Sequence, residues 1–309
     1  MLRKQPFWRN LLLLALFVGT TSCSFATSTD SIDYPGRKKL VIIGTSAGFA
    51  GTMTGLYHLW YKDYPLTKFH FHNDNRDWFQ MDKVGHMYSC YYEGVVGIDM
   101  FEWAGFTKKQ STWIGGSLGF FVQSGIEIFD GFSEAWGASK GDIIANALGT
   151  GMAIGQHSVW DEQRVWMKLS FQPSPYSEIR PELLGTSFTE NLFKDYNGQT
   201  YWLSANISSF LKEESRFPKW LNIAVGYGID GFVSSDDNIF ERDGQIYDYT
   251  HIVQQRQFYL SPDIDLTRLP IENKGLKIAF RMLNCIKFPL PVIGYDTEKQ
   301  SVSFNFIQF

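Results

Sequence analysis

A histidine lies among carboxylates at helical spacing in the stretch from 81 to 94, MDKVGHMYSCYYEG. Asp82, His86, Ser89 and Glu93 are separated by four, three and four residues, which places them on one face of a helix. A histidine held by a carboxylate suits general acid–base work on water or a hydroxyl, and the same nitrogen and oxygen atoms suit a divalent metal ion. Lys83 adds a positive charge beside this face.

The stretch from 126 to 149, IEIFDGFSEAWGASKGDIIANALG, carries a second set of polar side chains. Glu127 and Asp130 end one apolar segment, and Asp142 and Asn146 begin the next. Isolated charges in apolar surroundings cost several kcal/mol each. We therefore predict that these side chains turn inward and meet the face of Asp82 in one polar cluster, at one mouth of a helical bundle.

Three interpretations of this cluster stay open. His86, Asp82 and Glu127 are the catalytic candidates for a metal- or His-dependent hydrolase, although no HExxH or ExxH pattern accompanies the histidine. As a metal site, His86 with Asp82, Glu127 and Asp130 would supply nitrogen and oxygen ligands for a divalent ion. The remaining interpretation is structural or a non-catalytic ligand pocket. In the structural interpretation, Lys83 and His86 neutralise the acids, while Asp142 and Asn146 cap or cross-link helices. Asp142 follows Gly141 closely and is well placed at a helix N-terminus. The predicted ligand-binding cluster consists of Asp82, Lys83, His86, Glu93, Glu127, Asp130, Asp142 and Asn146.

Composition limits the class of protein and its partners. The 309 residues suffice for one large domain or two modest ones. The formal net charge is −4 and no stripe of lysine and arginine is present, which excludes a nucleic-acid partner. Aromatic residues make up 17% of the chain and charged residues only 19%, which favours contact with membrane lipid or an envelope glycolipid.

The N-terminus predicts export. Arg3 and Lys4 precede an apolar run at 11–18, and small residues follow. This is the pattern of a signal peptide, predicted at 1–26, and the run is too short to span a bilayer. Cleavage after Ala26 would leave an ordinary exported protein, whereas cleavage before Cys23 would leave that cysteine lipidated. Both predict a location in the cell envelope, at its periplasmic face or outer membrane.

The apolar periodicity predicts an α+β chain. Residues 38–160 show helical periodicity in about four segments, which predicts a helical bundle that is embedded in or associated with a membrane. The segment 40–61 is uncharged and long enough to span a bilayer, and its glycines at 44, 48, 51 and 55 would let a second helix approach closely. A buried helix of a soluble bundle is the alternative. From 164 to 309 the period changes to two, which predicts a small antiparallel β-rich domain.

The two polar stretches together resemble the YfiM-like family of predicted envelope lipoproteins, a domain of unknown function, and more distantly the VanZ-like membrane proteins. The resemblance covers residues 40–158 and implies a shared site and an envelope location. Asp130 stands where the VanZ-like pattern has glutamine, and residues 138–140 lack its arginine. The marked residues of the family fall on Asp82, Lys83, His86, Glu127, Asp142 and Asn146.

The favoured function is therefore that of a membrane-associated envelope protein without enzymatic activity. It would bind or shield an envelope glycolipid or a peptidoglycan-related component through the polar cluster. The alternative is a metal- or His-dependent hydrolase that acts on a lipid-linked envelope substrate. The sequence predicts no oligomeric state.

Overall fold

The computed structural model describes residues 34–308, so the predicted signal peptide and Cys23 lie outside the described residues. Helices fill the first half, with a long connection at 57–80 between the first two and shorter connections between the others. A π-helical turn, Tyr57–Tyr61, follows the first helix, and another, Ser111–Gly115, continues the third. The helices are α1 (Pro35–Leu56), α2 (Met81–Trp103), α3 (Lys108–Gln110), α4 (Leu118–Phe132) and α5 (Lys140–Trp160).

An antiparallel sheet of six strands dominates the second half, which confirms the α+β prediction. Its strands are β3 (Val165–Phe171), β4 (Gln199–Asn206), β5 (Leu221–Asp230), β8 (Gln255–Ile264), β9 (Leu290–Asp296) and β10 (Ser301–Gln308), in the order β10-β9-β8-β5-β4-β3. A hairpin is inserted between β5 and β8, and a short parallel pair joins two loops of the helical half. These strands are β6 (Ile239–Arg242), β7 (Gln245–Asp248), β1 (Phe71–His72) and β2 (Ala138–Ser139). The remaining helices are α6 (Pro181–Leu184), α7 (Phe188–Lys194) and α8 (Lys274–Leu283).

Glycines bring α4 and α5 close to α2. A Cβ atom added at Gly149 of α5 would lie 2.1 Å from the carbonyl oxygen of Met87, and one at Gly119 of α4 would lie 2.5 Å from that of Cys90. Only glycine is compatible with these positions, because any side chain would collide with the backbone of α2. This close approach lets polar side chains on the three helices reach one another.

The first helix departs from the prediction. Within residues 34–308, no helix has both the length and the apolar character needed to cross a bilayer, so the interpretation of 40–61 as a spanning segment is wrong. The α-helix ends at Leu56, and its uncharged part, 40–56, is about 25 Å long against a hydrocarbon core of about 30 Å. No helix among the described residues packs against its glycines either. A Cβ atom added at Gly44, Gly48, Gly51 or Gly55 would have nothing within 4 Å.

The helices and the sheet share apolar contacts. Tyr91 and Val95 of α2 are buried together with Trp166 and Met167 of β3. In contrast, α1 contributes only Val41 and Met53 as buried side chains. The close helix packing thus involves α2, α4 and α5, with α1 at their side. A four-helix bundle and a domain boundary between 160 and 164 stay predictions.

Candidate functional site

Lys83 lies among three carboxylates at the start of α2. Its Nζ atom is 3.0 Å from Asp74 Oδ1, 2.9 Å from Asp82 Oδ2 and 3.3 Å from Asp142 Oδ1. Burial alone would lower the pKa of Lys83, but the charges of Asp82 and Asp142 raise it above its ordinary value. The side chain is therefore an ammonium ion, and it balances only one of the three carboxylates around it.

Ser139 connects the loop, α4 and α5 at this end of the helices. Its Oγ atom accepts a hydrogen bond from the backbone N–H of Asp142 (3.1 Å) and donates one to Asp74 Oδ1 (2.6 Å), while its own N–H donates to Glu127 Oε2 (2.7 Å). Ser139 is thus the N-cap of α5. Asp142 lies in the first turn of this helix.

His86 projects between α4 and α5. Its Nδ1 atom lies 3.0 Å from Asn146 Oδ1, and its Nε2 atom lies 3.8 Å from Glu127 Oε1. Burial lowers the pKa of His86 to about 4, although the bond to Asn146 opposes this shift, and the charge of Lys83 lowers the pKa further. His86 is therefore neutral at physiological pH, so its contact with Glu127 is not a salt bridge.

The carboxylates around His86 hold protons more tightly than usual. Burial raises the pKa of Glu127 to about 8, against the hydrogen bond from Ser139, and neighbouring carboxylates add to the shift. Burial and the charge of Asp82 raise the pKa of Asp142 to about 7, although Lys83 opposes this. Near neutral pH, part of the negative charge at this site is thus neutralised by bound protons.

Glu93 and Asp130 have partners outside the group at Lys83. Gln123 donates a hydrogen bond of 3.1 Å to Glu93 Oε1, and Tyr61 donates one of 2.8 Å to Asp130 Oδ1. Burial raises the pKa of each carboxyl group to about 7, although the hydrogen bonds oppose the shift. The second oxygen of Glu93 is buried and makes no hydrogen bond within the described part of the chain.

Glu93 also lines a groove between α1, α2 and α4. The groove has a volume of about 570 Å³, and apart from Glu93 and a few hydroxyl groups its walls are apolar. Gly44 and Gly48 of α1 form part of one wall and leave it open. The larger apolar side chains of the lining are Leu40, Phe49, Met100, Trp103, Leu118 and Phe121.

The structure thus brings six of the eight predicted residues into one connected group and leaves Glu93 and Asp130 beside it. Two sets of three side chains between residues 34 and 308 are close enough to share a metal ion, with ligand atoms within 4.8 Å of one another. Both sets include Asp142. They are His86, Glu127 and Asp142, and Asp74, Asp82 and Asp142. A role for any of these residues in binding stays a prediction.

Sequence reasoning missed Ser139 and did not place Asp74 in this group. His70, His72 and Asp74 alternate in the segment 67–77, TKFHFHNDNRD, whose polar composition indicates a surface linker, and no sequence pattern connects Asp74 with Lys83. Ser139 had a recognisable pattern, because Ser-Lys-Gly-Asp at 139–142 matches a serine N-cap followed three residues later by an acid.

Residues 70–157 match the model of a family described as "Predicted periplasmic lipoprotein (DUF2279)". The matched segment runs from β1 into the last turns of α5 and contains the whole group around Lys83 and His86. The match agrees with the N-terminal prediction, and we assign the protein to the cell envelope as an exported protein. No curated protein and no solved structure matches the chain. The links to YfiM-like and VanZ-like proteins stay predictions.

Proposed function

We propose that this envelope protein binds an amphiphile of the cell envelope, such as a glycolipid, with the aliphatic chain in the groove between α1, α2 and α4. The observation that carries the proposal is the groove itself. Its volume of about 570 Å³ falls in the range of about 300–1,000 Å³ that is usual for small-molecule sites. Each methylene group moved from water into such apolar surroundings contributes about 0.8 kcal/mol.

Glu93 supplies the polar contact of the proposed ligand. Its carboxyl group lines the groove, and with a pKa near 7 it is present in both protonation states at neutral pH. It can therefore donate a hydrogen bond to a carbonyl oxygen or accept one from a sugar hydroxyl. Gln123 fixes its orientation through the hydrogen bond to Oε1. An apolar pocket with one oriented polar group suits a molecule that has a chain and a head.

The test uses a fluorescent fatty acid, cis-parinaric acid, and two glycine variants of α1. Gly48→Leu places a side chain in the groove, whereas Gly51→Leu adds the same side chain outside the lining. Neither added Cβ atom meets any atom within 4 Å, so both variants are expected to fold. We expect saturable binding to the wild type and to Gly51→Leu, with affinity at least 10-fold lower in Gly48→Leu. Equal affinity in both variants, or no binding to the wild type, would contradict the proposal.

A hydrolase that acts on a lipid-linked substrate is the second candidate. The observation in its favour is the neutral His86, whose Nε2 atom faces Glu127 and could accept a proton from water. Incubation of the protein with a lipid-linked sugar, followed by mass spectrometry of the lipid, separates the two functions. Binding alone leaves the lipid intact, whereas hydrolysis releases the head group and is lost in His86→Gln.

A further inference from the structure

The environment of His86 fixes which ring nitrogen carries the proton. Asn146 Oδ1 lies 3.0 Å from Nδ1, and an amide oxygen only accepts hydrogen bonds. The sulfur of Cys90 also donates to this oxygen, at 3.4 Å. Nδ1 therefore carries the hydrogen, and the lone pair of Nε2 is free. Histidines that bind metal ions usually have this arrangement, with the second ring nitrogen donating to an oxygen.

The free lone pair of Nε2 faces another acceptor. Glu127 Oε1 lies 3.8 Å away, which is too far for a hydrogen bond and closer to the separation of two ligands on one ion. Asp142 completes the set, with its ligand atom within 4.8 Å of the other two. Glu127 and Asp142 are only 3% and 5% exposed, and Oδ1 of Asp142 lies 3.3 Å from Lys83 Nζ on the side of the neighbouring acidic set. Buried acceptors that face one another require a proton or a cation between them.

The neighbouring acidic set already contains its cation. The ammonium group of Lys83 lies within 3.3 Å of Asp74, Asp82 and Asp142, at the centre of that set. Asp142 therefore has the ammonium group of Lys83 on one side. On its other side lies Glu127, with which no lysine or arginine among residues 34–308 forms an ion pair. His86 Nε2 and Glu127 Oε1 therefore face each other at 3.8 Å with no basic side chain of this part of the chain between them.

We propose that His86, Glu127 and Asp142 bind one divalent transition-metal ion. One imidazole nitrogen and two carboxylate oxygens suit zinc or manganese, and three protein ligands leave coordination positions for water or another ligand. Asn146 is a positioning residue that orients the imidazole. The proposal does not depend on the lipid groove, because the two sites use different residues.

The test is titration of the EDTA-treated protein with Zn²⁺ in a calorimeter. We expect one ion per chain, binding at least 100-fold weaker in His86→Gln and Glu127→Gln, and binding 10- to 100-fold weaker in Asn146→Leu. His157→Gln is the matched control, because His157 forms a similar pair with Glu102 at 3.0 Å near the other end of α5. Its affinity for Zn²⁺ is expected to equal that of the wild type.

A measurement on the wild type alone covers the case in which a variant fails to fold. Co²⁺ bound by nitrogen and oxygen ligands absorbs visible light, and Zn²⁺ should displace it at one equivalent. No Co²⁺ spectrum and no Zn²⁺ heat in the wild type would show that only protons occupy the gap between His86 and Glu127. Equal Zn²⁺ affinity in folded His86→Gln would overturn the proposal as well.

Discussion

The helical half and the sheet half each contain a cluster of charged side chains. Acids are in excess in the helical cluster, and lysines are in excess in the sheet cluster. In the sheet half, two lysines share one acid. Lys168 Nζ lies 2.7 Å from Asp263 Oδ2, and Lys287 Nζ lies 3.8 Å from Asp263 Oδ1. In the helical half, one lysine is shared by three acids, with Glu127 and His86 next to them.

The two clusters also differ in how their excess charge is satisfied. In the sheet, the backbone accepts from both lysines, since Lys168 donates to the carbonyl oxygen of Ile264 (2.7 Å) and Lys287 to that of Phe288 (2.8 Å). Each cluster also holds a buried carboxylate oxygen without a hydrogen bond, Asp82 Oδ1 among the helices and Asp263 Oδ1 in the sheet. The excess ammonium group of the sheet cluster is thus held by backbone carbonyl oxygens, and we interpret this cluster as structural. The helical cluster has an excess of carboxylates instead, which is why we place a cation there.

The largest effect is expected in the sheet. Asp263→Asn leaves two buried ammonium groups without a counter-charge, and removing one partner of a buried ion pair typically costs about 3–5 kcal/mol. Urea unfolding at pH 7 should show a loss of this size in the free energy of unfolding. The exposed Asp248→Asn is the control and should change it by less than about 0.5 kcal/mol. A loss below about 1 kcal/mol in Asp263→Asn would mean that the lysines do not need this acid.

Lys83→Met should cost about 3 kcal/mol at pH 8, since it leaves the buried Asp142 and the partly buried Asp74 and Asp82 without their cation. The loss should shrink at pH 5. Burial raises the pKa of Asp142 to about 7 and also raises that of Asp82, so protons can replace the ammonium group as the pH falls. Urea unfolding at the two pH values measures the difference. An equal loss at both would contradict the view that the helical cluster stores protons.

Lys287→Met should stabilise the protein, in contrast to Lys168→Met. Burial and the charge of Lys168 lower the pKa of Lys287 from 10.5 to about 8, although Asp263 opposes this. The charged form of Lys287 therefore costs stability below pH 8, and the cost disappears as the pH rises towards 10.5. We expect Lys287→Met to add about 2 kcal/mol at pH 7 and little at pH 10. If it destabilises the fold at pH 7 as much as Lys168→Met, the two lysines are equivalent.

The smallest effect concerns Asp130. Burial raises its pKa from 3.8 to about 7, so its charged form costs stability at pH 8 and its neutral form costs nothing at pH 4. Asp130→Asn keeps an oxygen for the hydrogen bond from Tyr61. Thermal unfolding should show a gain of about 1 kcal/mol at pH 8 and none at pH 4. A gain at both pH values would point to packing rather than charge.

Secondary structure was predictable where the apolar residues keep one period over about ten residues. The alternation in WLNIAVGYGIDGFV appears as β5, and the amphipathic pattern of KGLKIAFRML appears as α8. The short strands β6 and β7 were missed, because four residues are too few for a period. The glycines of α1 led to the wrong prediction of a close helix contact. Their spacing shows that one helix face lacks side chains, but it does not show whether another helix packs there.

The convergence of the candidate site was predictable from helix faces. Placing His86 and Glu127 on inward faces of antiparallel neighbours is enough to bring them together. Asp74 could not be predicted, because its position depends on the loop before α2 and on the hydrogen bond from Ser139. The groove could not be predicted either, since it exists because α1 packs loosely against α2 and α4.

Native mass spectrometry of the protein purified from the cell envelope in mild detergent tests the proposed function most directly. We predict that the wild type and Gly51→Leu carry one bound lipid, whose mass identifies it, and that Gly48→Leu carries none. Retention of the same lipid in all three proteins, or its absence from all three, would contradict the assignment of the groove as the binding site.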